Sequence, residues 1–202
     1  CDDINVKNYV ASIVKTNHII YVKKTISKLE TYNIANDYLL SCKKQDNKRL
    51  QELNTNNEKG LIHYQREYKN GGERVFRQAF TIWTSKILLV NEMMAHNHFN
   101  SNYFAWIDAG VSRFNRTPSL YTMKYPNSHI YHFRSNMKYY GESAHINASF
   151  IVAHKDVWNI LIPIYKEEIE NKKYSNYAHD EETLLYNIWK NPNHKKLFKL
   201  IQ

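Results

Sequence analysis

Five apolar residues in a row, Tyr103-Phe104-Ala105-Trp106-Ile107, run straight into a carboxylate, Asp108, and then into Ala109 and Gly110. A short unbroken apolar run predicts a strand buried on both faces, as in a parallel sheet under helices. An unpaired carboxylate inside such a strand would cost several kcal/mol or be forced to protonate. It is tolerated at the strand's C-terminal end, where the chain emerges into the crevice in which open α/β sheets bind ligands. Ala109 and Gly110 leave the backbone uncovered, so a ligand can approach it closely. The stretch marks Asp108 as the floor of a ligand site.

The pattern on either side fits that reading. Phe76, Ala79, Phe80, Trp83, Ile87, Val90 and Met94 recur at helical spacing, and Leu88, Leu89 and Met93 widen the face. This predicts a core helix that ends near His96-Asn97-His98. A helix followed by a buried strand across a short loop is an α/β connection. Further strands are expected over 130–133 and 146–153. Asp156 is the expected N-cap of a helix that buries Val157, Trp158, Leu161, Ile162, Tyr165 and Ile169, with a kink or break at Pro163. Another helix is expected from His179-Asp180-Glu181-Glu182, turning Leu184, Leu185, Ile188 and Trp189 inward and stopping at Asn191-Pro192. Residues 197–201 read as an edge strand. This alternation of helices and strands from residue 76 onward predicts an α/β layered domain, and the length of 202 residues suits a single domain over 1–202. Residues 1–60 carry less signal. Ile19-Ile20-Tyr21-Val22 reads as a short strand, Thr25–Tyr32 as a helical turn or two, residues 33–59 as polar loop, and Gly71-Gly72 as a turn.

Charge narrows the class of partner. Lys+Arg 28 against Asp+Glu 19 gives a formal net charge of +9, which favours anionic partners such as nucleic acid, anionic lipid or phosphorylated small molecules. The lysines are scattered in pairs such as Lys23-Lys24 and Lys195-Lys196. No basic run marks a nucleic-acid tail, so no specific nucleic acid is expected. Cys1 and Cys42 form no CxxC or zinc spacing, and a reducing compartment is the simplest expectation. No apolar run is long enough to span a bilayer, and no signal peptide is visible. A cytoplasmic location is the corresponding expectation.

Few residues carry candidate chemistry. Asp108 can bind ribose hydroxyls or a divalent cation, or it can simply cap the next turn. Lys86, at the edge of the core helix's apolar face, can reach a phosphate or snorkel to water. Arg113 offers a guanidinium that matches phosphate geometry. Asp180, Glu181 and Glu182 can serve as general base or metal ligand facing Asp108, or can simply complement the helix dipole. His96 and His98, two apart on a helix, do not face each other, and His129 and His132 leave opposite faces of a strand. None of these four is assigned to a metal.

Lys86 in a long helix, then Tyr-Phe-Ala-Trp-Ile-Asp-Ala-Gly, then Arg113, resembles the bacterial HtrL/YibB-type glycosyltransferase family. Asn147-Ala148-Ser149-Phe150, the helix of Trp158, and His179-Asp180-Glu181-Glu182-Thr183-Leu184-Leu185 continue the likeness in order, over about residues 75–190. The resemblance implies a GT-A-like nucleotide-sugar-binding fold, with a mostly parallel sheet flanked by helices. It implies transfer of a sugar, of the hexosyltransferase class, from a nucleotide-sugar donor to a glycan, protein or lipid-linked acceptor. In such folds a short acidic motif with two aspartates one residue apart binds the donor ribose and a Mn²⁺ or Mg²⁺ ion. Asp108 matches the first aspartate, and Gly110 stands in place of the second. By the same resemblance, Lys86 and Arg113 face the diphosphate, Ala109 and Gly110 flank the donor, Asn147 and Ser149 line the sugar pocket, and Asp180 or Glu181 touches a sugar. Two alternatives stand beside it: a basic nucleic-acid-binding domain, and a glycosyltransferase-like domain without activity.

Overall fold

The core helix forms where its periodicity places it, and the rest of the domain packs around it. The computed structural model describes residues 8, 9, 12, 19–44, 68, 70–109, 126–135, 138–139, 142–143, 146–172 and 180–201. Helix α1 spans Ile34–Lys44 and α2 spans Gly72–His96. Strands β1 (Tyr103–Ile107), β2 (Ile130–Phe133), β3 (Lys138–Tyr139), β4 (Glu142–Ser143) and β5 (Asn147–His154) follow. Then come α3 (Lys155–Lys172), α4 (Glu181–Lys190), the short α5 (Pro192–Lys195) and β6 (Phe198–Leu200).

The main sheet has the order β1-β5-β2-β6. β5 runs antiparallel to both β1 and β2, and β6 pairs with β2 in parallel. The sheet is therefore mixed, and the expectation of a mostly parallel sheet does not hold for its described strands. An apolar run reports burial, and burial does not fix strand direction. Strands β3 and β4 form a separate short hairpin that the sequence pattern did not signal.

The continuous apolar run also misplaced the central strand. Among the described strands β1 lies at the sheet edge and alternates, with Tyr103, Ala105 and Ile107 exposed. Phe104 and Trp106 point the other way and pack against the main core. The strand buried on both faces is β5, where only Asn147 is partly exposed. Ile151 and Ala153 join the main core with Ile87 of α2, Trp158 and Leu161 of α3, and Leu184 and Leu185 of α4. Phe150 and Val152 belong to a second, smaller cluster with Tyr131 and Phe133.

Two helix ends follow their capping chemistry, whereas Asp156, expected as the N-cap of α3, lies inside its first turn. α2 stops at Asn97, whose φ of 36° is left-handed and whose N–H bonds the carbonyl of Met93. α4 starts on Asp180, whose Oδ1 accepts from Thr183 N at 2.9 Å. α3 runs unbroken through Pro163. The carbonyl that proline leaves unbonded belongs to Asn159, and both residues lie on the exposed side, where water can satisfy it.

The N-terminal part departs most from expectation. Residues 34–44, read as loop, form α1, which buries Ala35, Tyr38 and Leu39 at helical spacing. Residues 19–22 form no strand, and Ile20, Tyr21 and Val22 are exposed. Ile26–Lys28 makes a single 3₁₀ turn. Tyr38 Oη donates to the Ile169 carbonyl at 3.1 Å, and Thr31 Oγ1 meets Ser85 Oγ at 2.7 Å. These bonds fasten the N-terminal part to α3 and α2.

Candidate functional site

Four elements bring five of the sequence-predicted residues to one place. α2 supplies Lys86 from its middle, β1 supplies Asp108 just past its C-terminal end, β5 supplies Asn147 and Ser149 from its start, and α4 supplies Glu181 from its first turn. Lys86 Nζ lies 2.9 Å from Asp108 Oδ1 and 3.0 Å from Oδ2. It lies 2.6 Å from Glu181 Oε1. One ammonium thus bridges two carboxylates from different elements.

Lys86 does not snorkel. Its relative exposure is 6%, while Glu181 has 4% and the Asp108 side chain 29%. Burial pushes the Lys86 ammonium toward losing its proton. The charges of Glu181 and Asp108, and hydrogen bonds with both, outweigh burial and raise its pKa above the ordinary 10.5. The lysine is held charged. Its stem shares the buried side of α2 with Thr81, Thr84 and Ser85, so this face is more polar than the apolar spacing suggested.

Asp108 is the opening of the cluster to solvent. Its Oδ1 also accepts from Trp106 Nε1 at 2.7 Å, and the Lys86 ammonium stands 5.9 Å from the Trp106 ring centre. Trp106 was missed as a site residue. The signal was present, because residues two apart on a strand share a face. The backbone N–H of Asp108 donates to the Ser149 carbonyl at 2.8 Å, continuing the β1–β5 ladder past Ile107. Asn147 Oδ1 accepts from Ser149 N at 3.0 Å and from the Ser149 hydroxyl. The Asn147–Ser149 segment therefore lies directly beside Asp108.

The start of α4 sorts its three carboxylates by partner. Asp180 Oδ1 accepts from both Thr183 N and Thr183 Oγ1 at 2.9 Å, which makes it the helix cap. Glu181 meets Lys86. Glu182 reaches β5, where its Oε1 accepts from Ala148 N at 2.8 Å. All three are nearly fully buried. The sequence suggested a dipole role for this run, and the fold gives each acid a separate bond. The sequence offered Glu182 only together with its two neighbours and gave it no partner of its own. An acid run at a helix start carries no mark of which member turns toward a neighbouring strand.

Ala109 follows Asp108 in an exposed turn. Gly110, Arg113 and His179 lie outside the described residues. His96 and His98 do face each other, stacked with ring centres 5.5 Å apart around the Asn97 cap, on the outside of the domain. The rule that excluded contact between them applies to a continuous helix, and the left-handed Asn97 breaks it.

A divalent cation at Asp108 would need several oxygen ligands. Both Asp108 oxygens and Glu181 Oε1 instead surround the Lys86 ammonium. As arranged, these residues fit an ammonium and do not fit a Mn²⁺ or Mg²⁺ ion. Among the described residues no group of three His, Cys, Asp or Glu side chains gathers at metal-binding distance. Among the same residues no helix is long and apolar enough to cross a membrane. Comparisons with protein-family models, with curated proteins and with solved structures return no match.

Proposed function

We propose that this chain is a glycosyltransferase of GT-A-like fold that binds a nucleotide-sugar donor at Asp108. The observation that carries the reading is the setting of that carboxylate. It closes a sheet strand, keeps part of its surface in solvent, and is fixed by Lys86 and Trp106 with Asn147 and Ser149 alongside. A carboxylate held this way is pre-organised to accept hydrogen bonds from ribose or sugar hydroxyls. The resemblance of Trp106–Gly110 to the HtrL/YibB-type family supports the same class of ligand.

The roles divide by exposure. Asp108 is the group that touches the donor. Glu181 is buried against Lys86 and holds it in place. Asp180 orients α4 through its cap. Lys86 is spent on two carboxylates, so the diphosphate is assigned to Arg113. Positive charge near the leaving nucleoside diphosphate stabilises the transition state as its oxygen becomes anionic. The net charge of +9 favours arrival of such an anionic donor.

Calorimetric titration with a panel of nucleotide sugars, run on the native chain and on Asp108→Asn, tests the reading. One donor should bind and lose about tenfold or more in affinity with Asp108→Asn, since about 1.4 kcal/mol is tenfold. A folded Asp108→Asn protein with full donor affinity, or tight and steeply salt-dependent binding of single-stranded nucleic acid in place of any donor, would overturn it.

A further inference from the structure

Lys86 is a costly way to fill the middle of a core helix. A buried ion pair is often no more stable than apolar residues of the same volume. This one places a charge beside Ile87 and Leu88, both buried on the same helix. Its return is geometric. The ammonium touches both oxygens of Asp108 and one of Glu181 at 2.6–3.0 Å, so it sits between two acids carried by different elements. Among cationic side chains, the lysine ammonium is the compact point charge and comes nearest to a metal ion.

We propose that the Lys86 ammonium is the resident counter-cation of this site, standing where a divalent ion would bridge Asp108 and Glu181 and keeping such an ion out. One ammonium against two carboxylates leaves an excess negative charge. The solvent side of Asp108 therefore favours neutral hydroxyl donors over a phosphate. Three bonds from Lys86 and Trp106 already occupy most of the roughly four acceptor positions of Asp108. Removing the lysine's charge leaves two carboxylates facing one vacated space, which is the beginning of a hard-cation site. The inference concerns the site of the proposed donor. Its test uses metal alone, so it can fail while the donor reading stands, and the reverse.

Mn²⁺ titration by calorimetry and by electron paramagnetic resonance, together with melting curves, applies to the native chain, Lys86→Ala, and Lys86→Ala combined with Asp108→Asn. The native chain should show no Mn²⁺ site that depends on Asp108, and its melting temperature should not respond to millimolar Mn²⁺. Lys86→Ala should melt lower and recover with Mn²⁺. It should bind one ion at least about tenfold more tightly than the native chain, and the gain should vanish in the double variant. Lys86→Gln, which adds an amide oxygen on a similar stem, repeats the measurement if alanine does not fold. A stoichiometric Mn²⁺ site in the native chain that Asp108→Asn abolishes would overturn the proposal. So would a folded Lys86 variant that gains no Mn²⁺ affinity. Failure of both variants to fold even with Mn²⁺ would count equally against it, because an ion in the vacated place should restore the missing charge.

Discussion

Trp106, on β1, and Asp108, just past the end of that strand, stand two residues apart, and the indole Nε1 donates to the carboxylate Oδ1 at 2.7 Å. The same tryptophan packs its ring on the main core. Asp108 is thus tied to the hydrophobic interior through its own strand, independently of Lys86. Trp106→Phe should keep the packing and lose the donor. A hydrogen bond to a charged group is worth about 1.5–3 kcal/mol, and the partial exposure of Asp108 places the loss at about 1.5 kcal/mol or below. Urea denaturation reads the stability change, and donor titration should show weaker binding through a less fixed Asp108.

Lys86→Met removes the charge that two carboxylates share. Breaking a buried pair from one side costs about 3–5 kcal/mol, and the solvent contact of Asp108 points to the lower end. Adding Glu181→Gln should return part of the loss, because the stranded carboxylate disappears. A double-mutant cycle by chemical denaturation should give a coupling of at least about 0.5 kcal/mol. Strict additivity would mean that the two side chains do not interact in solution.

Glu182→Ala strands the backbone N–H of Ala148 at the start of β5. The expected loss is about 1.5–3 kcal/mol, and Glu182→Gln, whose amide oxygen can still accept, should recover a good part of it. Equal losses for the two variants would show that the bond to Ala148 is not what the glutamate contributes.

Glu168 offers the opposite sign. Its Oε1 is buried and has no hydrogen-bond partner among the described residues. Burial foremost raises its pKa above the ordinary 4.5, the charge of Glu167 adds to this, and Lys172 and a bond with Asn187 oppose it. The folded chain therefore holds this proton more tightly than the unfolded chain does. Stability from this group is present below 4.5 and is lost as pH rises through the folded value. Glu168→Gln should raise the melting temperature at neutral pH, and the gain should shrink in acid. Melting curves across that range check both parts.

In alkali two groups act together. Tyr165 is fully buried, with its Oη donating to the Thr84 carbonyl at 3.1 Å. Burial, then the charges of Glu181, Tyr38 and Asp180, raise its pKa well above 10.0. Lys86 is also raised, from 10.5. Both protons are held more tightly in the folded chain, so the stability these two groups contribute is fully present below their ordinary values and is lost as pH rises through their raised ones. Tyr165→Phe should flatten part of that fall in a series of alkaline denaturation curves.

Periodicity made much of the architecture legible. The core helix, the strand ending at Asp108, the strands near 130 and 150, and both C-terminal helices fall where the apolar spacing puts them. The inward face of α3, from Val157 to Ile169, matches residue for residue. Strand direction was not legible, because the same apolar run suits a parallel centre or an antiparallel edge. α1 was hidden because only Ala35, Tyr38 and Leu39 carry its buried face amid polar neighbours. At the site, sequence could name Lys86, Asp108 and Glu181 and set the acids facing each other, but could not place the Lys86 ammonium between them. An ion pair between distant elements leaves no local pattern. Trp106 had such a pattern, and Glu182 did not.

The bridge at Lys86 also governs how the domain can come apart. α2 and β1 follow one another in the chain and α4 comes more than 70 residues later, and each contributes one charge to the bridge. Peeling α4 away by itself would cost Lys86 its shorter contact, with Glu181, and leave it paired with Asp108 alone, so a partial opening at this point loses electrostatic stabilisation for little gain in chain entropy. The amides of the first turn of α4 should then exchange with solvent only as slowly as those at the centre of α2. The arrangement around Asp108 would be lost all at once, with the whole fold, rather than by degrees.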